Sequence, residues 1–580
     1  MIKLSAYSEL VLRLEQHLNI IYPQLNPTEI VCKILEAFSI TESSQITVPY
    51  ENKWSENDVM LITYGDSIKG PDKHPLDHLY NFLKSNLQDS VSWVHVLPFF
   101  PYSSDDGFAV IDYLKVNDSL GDWSDIERLS ESYKVMADLV VNHISSRSQW
   151  FEEFKARKFP GKDYFIEVND EFDISQVVRP RTSPLLKTVQ TLTDQKNVWC
   201  TFSPDQVDLN FRNPDVLIEM IKIIVHYLDH HIKIFRLDAV AFLWKKSGSS
   251  CIHLQETHEI IKLFRTLIEY KTSDAIIITE TNVPNRENLT YFGNSNEAHL
   301  IYNFSLPPLL IYTLITGDCH HLKTWLMSMP PARMGTTYLN FIASHDGIGL
   351  RPVEGLLNED ELNTLVSTMS SFGGRISSRD TDTGKHKPYE INISLYDALQ
   401  GNVKHGADKW QFQRFICAHA IMIALEGVPA FYIHSFLSTE NDYKKLDNTN
   451  QNRAINRHVW QADKLKQCLS DPNSHHYKTL HEIKRLLAIR KQQPAFHPNA
   501  TQYTLHLGFQ LFAFWRQSIN REQSIFSINN ISDEPIKIAL SDINLISTDE
   551  WHDLISDVKI DESTIFLDLK PYQSIWLSNY

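Results

Sequence analysis

Three acidic residues stand at the ends of short segments rich in β-forming residues. Asp238 follows the run Ile-Lys-Ile-Phe-Arg-Leu, Glu280 follows Ala-Ile-Ile-Ile-Thr, and Asp346 follows Tyr-Leu-Asn-Phe-Ile-Ala-Ser-His. Such apolar runs are typical of buried strands. An unpaired carboxylate is costly to remove from water, so three such endings indicate a shared task for these acids.

Paired carboxylates on one face suit the chemistry of the glycosidic bond. One attacks the anomeric carbon, and the other protonates the leaving oxygen and later deprotonates the acceptor; retaining enzymes hold the two about 5 to 5.5 Å apart. One acid must be ionised and the other protonated at rest. Arg236 lies two residues before Asp238, a spacing that places both side chains on one face of a strand. We therefore expect Arg236 to keep Asp238 ionised; a structural ion pair elsewhere in the barrel is the alternative.

The acids must be positioned by a β/α alternation that begins near residue 59. Helical periodicity separates several of the strands, for example at residues 216–228. Eight strands alternating with helices predict a (β/α)8 TIM barrel, an α/β fold whose strand ends open on one face, where the three acids would converge. The predicted strands are 59–64, 91–98, 133–143, 232–238, 275–280, 300–305, 336–346 and 427–434.

Two connections are too long for plain loops, and both follow strands whose ends face the predicted site. We expect them to form inserted subdomains that act as lids on that face. The polar run 377–385 inside the second is predicted to be a mobile loop. The proposed division is an N-terminal helical extension (1–55), the barrel (56–495) with inserts 144–207 and 347–412, and a C-terminal antiparallel β domain (496–580).

Four motifs resemble the four conserved regions of the α-amylase family, in the family's order and at predicted strand ends. The resemblance extends over nearly the whole chain, including both inserts and the C-terminal β domain. One such motif alone is weak, whereas four in order on eight predicted strands are specific. The motifs are Ala137-Asp-Leu-Val-Val-Asn-His143, Phe235-Arg-Leu-Asp-Ala239, Ile278-Thr-Glu280 and Ala343-Ser-His-Asp346.

The resemblance implies a role for each of five residues. Asp238 would be the nucleophile that forms a β-glucosyl ester, and Glu280 the general acid/base. Asp346 would bind sugar hydroxyls and stabilise the oxocarbenium-like transition state. His143 and His345 would donate hydrogen bonds to glucose. A core or capping role is the alternative for each, and it would be favoured for a lone histidine outside this constellation.

Further segments resemble the sucrose phosphorylase branch of that family, which has one closed sugar subsite and uses phosphate as acceptor. By this resemblance Asp105 and Arg457 would clamp the far hydroxyls of glucose, and Tyr64 and Phe108 would stack on or wall the ring. The segments include Val96-Leu-Pro-Phe-Phe-Pro-Tyr102, Arg179-Pro-Arg181, His345-Asp-Gly-Ile-Gly349 and Ile455-Asn-Arg-His458.

The resemblance also implies a phosphate and acceptor site built from the two inserts. Arg181 and Tyr389 occupy the positions where the branch holds phosphate, and Arg179 could share the role. Arginine suits phosphate because its planar fork bonds two oxygens and keeps its charge. Glu390 stands in Pro388-Tyr-Glu390, where sucrose phosphorylases usually carry Leu-Tyr-Gln. A salt bridge from the insert to the barrel is the alternative for the two arginines.

Within the branch, the N-terminal extension and the segments Phe242-Leu-Trp-Lys245 and Thr279-Glu-Thr-Asn-Val-Pro284 resemble glucosylglycerate phosphorylases. The resemblance implies reversible phosphorolysis of 2-O-α-D-glucosyl-D-glycerate to α-D-glucose 1-phosphate and D-glycerate. Sucrose phosphorylase and sucrose 6-phosphate phosphorylase are the alternatives. More distant ones are an α-glucoside hydrolase or transglucosidase and a non-catalytic sugar-binding barrel.

The amino-acid composition limits the kinds of partner that the protein can have. The net charge is -16 and Lys and Arg form no basic stripe, which argues against nucleic acid. Six cysteines stand far apart without a CxxC pair, as expected for free thiols in the cytoplasm. We expect no signal peptide, no membrane span, no calcium loop or other metal site, and no cofactor beyond phosphate as co-substrate. The sequence leaves the oligomeric state open, with a homodimer as one alternative.

Overall fold

The fold is taken from a computed structural model, which describes residues 5–42, 53–181, 183–380, 386–543, 550–561 and 563–579. Part of the predicted mobile loop (381–385) and part of the predicted N-terminal extension (43–52) lie outside these residues.

Eight parallel strands close into a barrel, as predicted. Their order around the barrel is their order along the chain, and the last strand pairs with the first. The strands are β1 (Met60–Thr63), β2 (Trp93–Val96), β3 (Lys134–Val140), β4 (Ile234–Asp238), β5 (Ile276–Thr279), β6 (Leu300–Tyr302), β7 (Thr337–Asn340) and β8 (Val428–Tyr432).

The seventh strand is shorter than the sequence predicted. It ends at Asn340, so Asp346 belongs to the following loop and not to a strand end. Asn340 lies opposite Pro429 of β8. The side chain of Asn340 donates to the backbone oxygen of Glu426 at 2.8 Å.

The register of β4 against its neighbouring strands explains the first ion pair of the site. Arg236 of β4 lies beside Asp138 of β3 and beside Ile278 of β5. All five residues of β4 are buried. A charged pair on adjacent buried strands is therefore built into the barrel wall, two residues before Asp238.

Helices form the outer layer of the barrel. Periodic apolar residues place one face of each against the strands, as in Pro214–Asp229, where Asn213 caps the first turn. The principal ones are Pro75–Phe82, Trp123–Ser130, Pro214–Asp229, Gln255–Lys271, Leu306–Thr316, His320–Ser328, Gln411–Ala424 and His475–Arg490.

Two N-terminal helices, Ala6–Ile21 and Pro27–Ala37, pack outside this layer. The first buries Leu10, Leu14, Leu18 and Ile21, the face that the sequence predicted. It contacts the helix Gln255–Lys271, where Arg13 donates to Thr266 at 3.1 Å.

The connection after β3 forms a small subdomain on the site face. Helix Gln149–Lys155 precedes a three-stranded antiparallel sheet. A further antiparallel pair, His143–Ser145 with Gln206–Asp208, ties the connection back to the barrel. The sheet consists of Glu167–Val168, Gln195–Trp199 and Leu186–Gln190.

The connection after β7 forms a second subdomain on the same face. It contains helix Glu359–Ser371 and a three-stranded sheet in the order Ile348–Gly349, His386–Asn392, Arg375–Asp380. The hairpin formed by the last two strands carries Tyr389 and Glu390.

Beyond helix His475–Arg490 the chain forms an antiparallel sheet of six strands. The boundary that we propose at residues 495 and 496 falls in the turn Pro494–Phe496, between that helix and the sheet. No helix in the described part of the chain is both long and apolar enough to cross a membrane. The sheet order is Thr501–Leu505, Leu511–Gln517, Ser524–Asn530, Ser574–Ser578, Trp551–Asp553 and Val558–Ile560, and Ile536–Ala539 pairs with Phe566–Leu569 beside it.

Candidate active site

One cavity of about 140 Å³ opens at the carboxyl ends of the barrel strands. The structure brings all three predicted acids to it, although Asp346 arrives from a loop and not from a strand end. Of the predicted site residues, Asp105, Phe108, His143, Arg181, Arg236, Asp238, Glu280, His345, Asp346, Tyr389 and Glu390 line the cavity.

Asp238 is held by the arginine predicted to accompany it. Arg236 Nη1 donates to Asp238 Oδ1 at 2.8 Å and also to Asp138 Oδ1. Asp138 is fully buried and receives a second contact from His95 Nε2 at 2.7 Å. The guanidinium is thus fixed from behind by Asp138 while it faces Asp238. A buried ion pair is tolerated when further hydrogen bonds hold its charged groups, and here only Nε of the guanidinium lacks a partner among the described residues.

Asp238 and Glu280 share this guanidinium unequally. Arg236 Nη2 lies 3.9 Å from Glu280 Oε1, whereas Nη1 lies 2.8 Å from Asp238 Oδ1. Burial raises the pKa of Asp238 well above its usual range, and Arg236 only partly opposes the rise. Burial likewise raises the pKa of Glu280, and the nearby charge of Asp346 adds to the rise.

Burial therefore outweighs Arg236 in its effect on the pKa of Asp238. Arg236 instead determines which of the two carboxyls, Asp238 or Glu280, holds the proton that they share. The closer hydrogen bond favours the charge on Asp238, and the proton remains on Glu280. This is the protonation that a retaining mechanism needs at rest.

Backbone geometry links the two carboxylates. Ala239 directly follows Asp238 and has a φ of 52°, in the left-handed region that few non-glycine residues adopt. Its N–H donates to Glu280 Oε2 at 3.2 Å. Strained backbone of this kind is common at sites where it aims a group at a reacting centre. Here it aims a donor at the acid/base candidate.

Asp346 forms an ion pair with an arginine side chain that was not predicted from the sequence. Arg453 Nη1 donates to Asp346 Oδ1 at 2.5 Å. The other side of the same guanidinium forms two hydrogen bonds to Glu390, at 2.6 and 3.1 Å. Burial raises the pKa of Asp346, but Arg453, His345 and Arg457 outweigh it and hold the pKa well below its usual range. Asp346 therefore stays ionised beside two carboxyls that share a proton.

Asp105 and Arg457, which are predicted to clamp the far hydroxyls of glucose, are each held by another side chain in this structure. Arg457 Nη1 donates to Asp106 Oδ2 at 2.6 Å, and Asp105 instead accepts from Gln206 Nε2 at 3.2 Å. Both aspartates have a positive φ, so adjacent side chains leave the turn in different directions. Asp105 lines the cavity, and Arg457 approaches Asp346 Oδ1 to 3.8 Å with Nη2.

Aromatic rings wall the inner end of the cavity. Phe108 stacks on His345 with centroids 5.1 Å apart, and Tyr64 meets His345 edge-on at 5.9 Å. His143 is buried behind Phe108, with Nε2 3.1 Å from the Phe108 backbone oxygen. Burial lowers the pKa of both His143 and His345, so each is a neutral ring that can donate one hydrogen bond. Tyr64 and Arg457 contact this wall from outside the cavity lining.

Several buried polar atoms in this region have no hydrogen-bond partner among the described residues. They include Arg457 Nη2, His345 Nδ1 and Tyr64 Oη. Buried polar atoms nearly always form a hydrogen bond, so a group of buried atoms without partners needs an explanation. Hydroxyls of a bound sugar would supply the missing partners.

The outer end of the cavity is formed where the two inserts meet. Arg181 Nη1 donates to Tyr389 Oη at 2.8 Å, and its guanidinium lies 5.6 Å from the centre of the Tyr389 ring. Arg179 is not part of this end: it is exposed and donates to the backbone oxygen of Ser183. Glu390 lines the cavity but is engaged by Arg453, so it does not present a free carboxylate there.

Sequence reasoning missed Asp138, Arg453 and Gln206. Asp138 could have been found, because a charged residue inside the buried run 134–140 calls for a partner on an adjacent strand. Arg453 lies four residues before Arg457 in the turn Asn452–Asn456, a spacing that gives no indication of its contact with Asp346. The described residues contain no group of three or more His, Cys, Asp or Glu arranged to hold a metal ion.

Comparisons with known proteins point to one group of enzymes. The family description of the α-amylase catalytic domain matches residues 83–353. A glucosylglycerate phosphorylase of Allomeiothermus silvanus is 40% identical over 91% of this chain and 92% of its own length. Another, from Escherichia coli, is 39% identical over 92% of this chain and 94% of its own length.

More distant similarity extends to other phosphorylases. The crystal structure of sucrose 6F-phosphate phosphorylase from Thermoanaerobacter thermosaccharolyticum superposes with a TM-score of 0.71 at 25% identity, covering 82% of this chain and 94% of that chain.

Proposed function

Because the chain belongs to the α-amylase family, we propose that it is a retaining glycoside phosphorylase acting on 2-O-α-D-glucosyl-D-glycerate. It would use phosphate to release α-D-glucose 1-phosphate and D-glycerate, and run in either direction. The observation that carries the proposal is the Arg181–Tyr389 pair at the outer end of the cavity that also contains Asp238 and Glu280. The relatives named glucosylglycerate phosphorylase support the acceptor.

The first displacement breaks the glycosidic bond. An oxygen of Asp238 attacks the anomeric carbon while Glu280 gives its proton to the departing glycerate oxygen. The product is a β-glucosyl ester on Asp238 and free D-glycerate. Arg236, fixed by Asp138, holds Asp238 in the ionised form and in position for the attack.

In the second displacement phosphate replaces glycerate. A phosphate oxygen attacks the anomeric carbon, the ester bond to Asp238 breaks, and Glu280 recovers the proton of hydrogen phosphate. The two inversions give net retention. Arg181 supplies a permanent charge for the phosphate, and Tyr389 supplies a phenolic hydroxyl beside it. Inorganic phosphate is the co-substrate, and neither step calls for a cofactor.

Positive charge develops on the sugar ring in both steps. Asp346, held ionised by Arg453, would bind sugar hydroxyls and stabilise this charge. The orphan donors of Arg457 and His345 would bind further hydroxyls, and Phe108 would lie against the ring. His143 and Asp105 complete the inner wall.

Sucrose phosphorylase and sucrose 6-phosphate phosphorylase are the second candidates. The similarity to the sucrose 6F-phosphate phosphorylase structure favours the shared mechanism but not that acceptor. A hydrolase would need water where we place phosphate, and excluding water is what distinguishes the two outcomes.

The experiment is an assay of phosphate-dependent release of glucose 1-phosphate from four donors in parallel. Glucosylglycerate, sucrose, sucrose 6-phosphate and glucosylglycerol are offered with and without phosphate. We expect release from glucosylglycerate and strict dependence on phosphate. Release from sucrose alone would keep the mechanism and reject the acceptor; free glucose formed independently of phosphate would reject phosphorolysis.

A cytoplasmic location and a homodimer belong to the same proposal. All six cysteines are free, which suits a reducing compartment. Light scattering on the purified protein tests the homodimer, and fractionation of cells tests the location.

A further inference from the structure

Four arginines among the described residues line the catalytic cavity: Arg181, Arg236, Arg351 and Arg453. Two of them are closely paired with carboxylates of the site. Arg236 bonds Asp138 and Asp238, and Arg453 bonds Asp346 and both oxygens of Glu390. These two are occupied with positioning the catalytic acids. The other two reach the cavity from the inserts.

Arg351 has no role in the mechanism described so far. It begins the turn Arg351–Val353 of the second insert, and its side chain is 21% exposed. Its Nη2 lies 3.9 Å from Glu287 Oε2, farther than a hydrogen bond. Glu287 is also contacted by His253 Nε2 at 3.1 Å. Glu287 is thus one carboxylate near Arg351 at the rim of the cavity.

The two residues before Arg351 contact both sides of the cavity lining. The N–H of Leu350, its neighbour, donates to the backbone oxygen of Tyr389 at 2.9 Å. Gly349 packs so tightly on Asn282 that an added Cβ would lie 2.7 Å from the amide nitrogen of that side chain. Asn282 follows Glu280 by two residues and lines the same cavity.

The chemistry of the acceptor calls for a cation at this place. In 2-O-glucosyl-glycerate the glycosidic oxygen is on C2, so the carboxyl carbon is only two bonds from the atom that Glu280 protonates. The carboxylate must then lie beside Glu280. Glu280 itself is kept protonated, but Glu354, which also lines the cavity, is a potential repulsive charge. That charge is countered by Lys387 Nζ at 3.2 Å.

We propose that Arg351 binds the carboxylate of the acceptor and thereby selects D-glycerate over an uncharged triol. This inference rests on the proposed function and identifies the residue that recognises the carboxylate of the acceptor. Arg181 with Tyr389 remains the site of phosphate. A planar guanidinium can form two parallel hydrogen bonds with a carboxylate, which gives both attraction and orientation. Glycerol, with a hydroxymethyl group in place of the carboxylate, gains nothing from it.

The test runs the reaction in reverse with α-glucose 1-phosphate as donor. D-Glycerate and glycerol are compared as acceptors through kcat/KM for phosphate release. In Arg351→Gln we expect kcat/KM for D-glycerate to fall about 10- to 100-fold, the range for a hydrogen bond to a charged group. The value for glycerol should stay nearly constant, and so should the KM for glucose 1-phosphate.

Two further variants control the experiment. Arg351→Lys keeps the charge and should restore part of the preference for D-glycerate. Arg286→Gln makes the same change in charge on the exposed side of the helix Asn285–Leu289, outside the cavity, and should leave both acceptors unaffected.

Two results would overturn the inference while leaving the proposed function intact. One is an equal loss on both acceptors in Arg351→Gln, which would make Arg351 a structural residue. The other is an unchanged preference in Arg351→Gln together with a lost preference in Arg181→Gln. A wild-type enzyme that transfers glucose to neither acceptor would reject the proposed function itself, and the inference with it.

Discussion

The inner and outer ends of the catalytic cavity are built on different principles. At the inner end Arg236 and Arg457 are 3% and 2% exposed, and each contacts at least one carboxylate of the barrel face. At the outer end Arg181 bonds a neutral phenol and Arg351 is 21% exposed. Strands and their immediate loops build the inner end, whereas two long inserts build the outer end.

This difference matches what each end has to do. The inner end meets the same glucosyl group in every step, so its charges can be fixed in advance and its cost of desolvation offset by permanent partners. The outer end must admit phosphate and glycerate in turn, which suits a cation such as Arg181 that bonds a phenol and not a catalytic carboxylate. The comparison predicts large effects on chemistry from inner changes and selective effects on one substrate from outer changes.

The largest effect should come from Asp238→Ala. Removing the nucleophile leaves no group to form the ester, and we expect turnover to fall by at least ~10⁴-fold, as for other catalytic nucleophiles. Release of glucose 1-phosphate from glucosylglycerate measures it. Asp118→Ala, at an exposed position, is the matched control and should retain normal activity. Activity of Asp238→Ala near the wild-type level would remove Asp238 from the mechanism.

A smaller effect, but a diagnostic one, is expected from Arg453→Gln. Arg453 holds the pKa of Asp346 low, and Asp346 must be ionised to act. Arg453 also lowers the pKa of Glu280, so without the cation the pKa of Glu280 rises further. Because Glu280 must be protonated to act, we expect the basic limb of kcat/KM to move to higher pH, by up to about one unit for loss of a nearby opposite charge.

Arg453→Lys serves as the control for that shift. It keeps the charge but loses the fork that also bonds Glu390, so the basic limb should stay near its wild-type position even if activity falls. An identical pH profile in wild type and Arg453→Gln would show that the pair with Asp346 is structural only.

The smallest effect should be confined to one substrate. Arg181→Ala should raise the KM for phosphate about 10- to 100-fold, because a charged hydrogen-bond donor is lost. Inhibition by glucose, which reports on the inner end, should change little. Arg179→Ala is the matched control two residues away; since Arg179 is exposed and bonds Ser183, it should behave as wild type. An equal weakening of glucose and phosphate in Arg181→Ala would assign Arg181 a structural role.

Local patterns in the sequence predicted most strands of the barrel. Each predicted strand overlaps an observed one, because runs of apolar residues reflect burial on both faces of a parallel strand. The end of β7 differs most from its prediction. The predicted extent ran through to Asp346, while the strand ends at Asn340. The side chain of Asn340 bonds Glu426, more than eighty residues away along the chain, which no local window includes.

Some features of the candidate site could likewise be predicted from the local sequence, and others could not. Arg236 and Asp238 were paired from their spacing alone, since two residues on a strand share a face. The contact of Arg457 with Asp106 was not predicted, because the directions of the adjacent Asp105 and Asp106 side chains depend on a turn with two positive φ angles. Arg179 was predicted to share the role of Arg181, but its side chain is exposed, whereas Arg181 lines the cavity.

The sequence by itself therefore determined the alternation of strands and helices, and it indicated the acids that end or follow three of the strands. Both follow from hydrophobic periodicity, which acts over a few residues. Only the tertiary structure decided which cation meets which carboxylate. Arg453 meets Asp346 across 107 residues of chain, and Arg457 meets Asp106 across 351. Ion pairs over such separations exist only after the barrel has closed and the loops have packed on its face, because Coulomb attraction acts through space and leaves no periodicity in the chain.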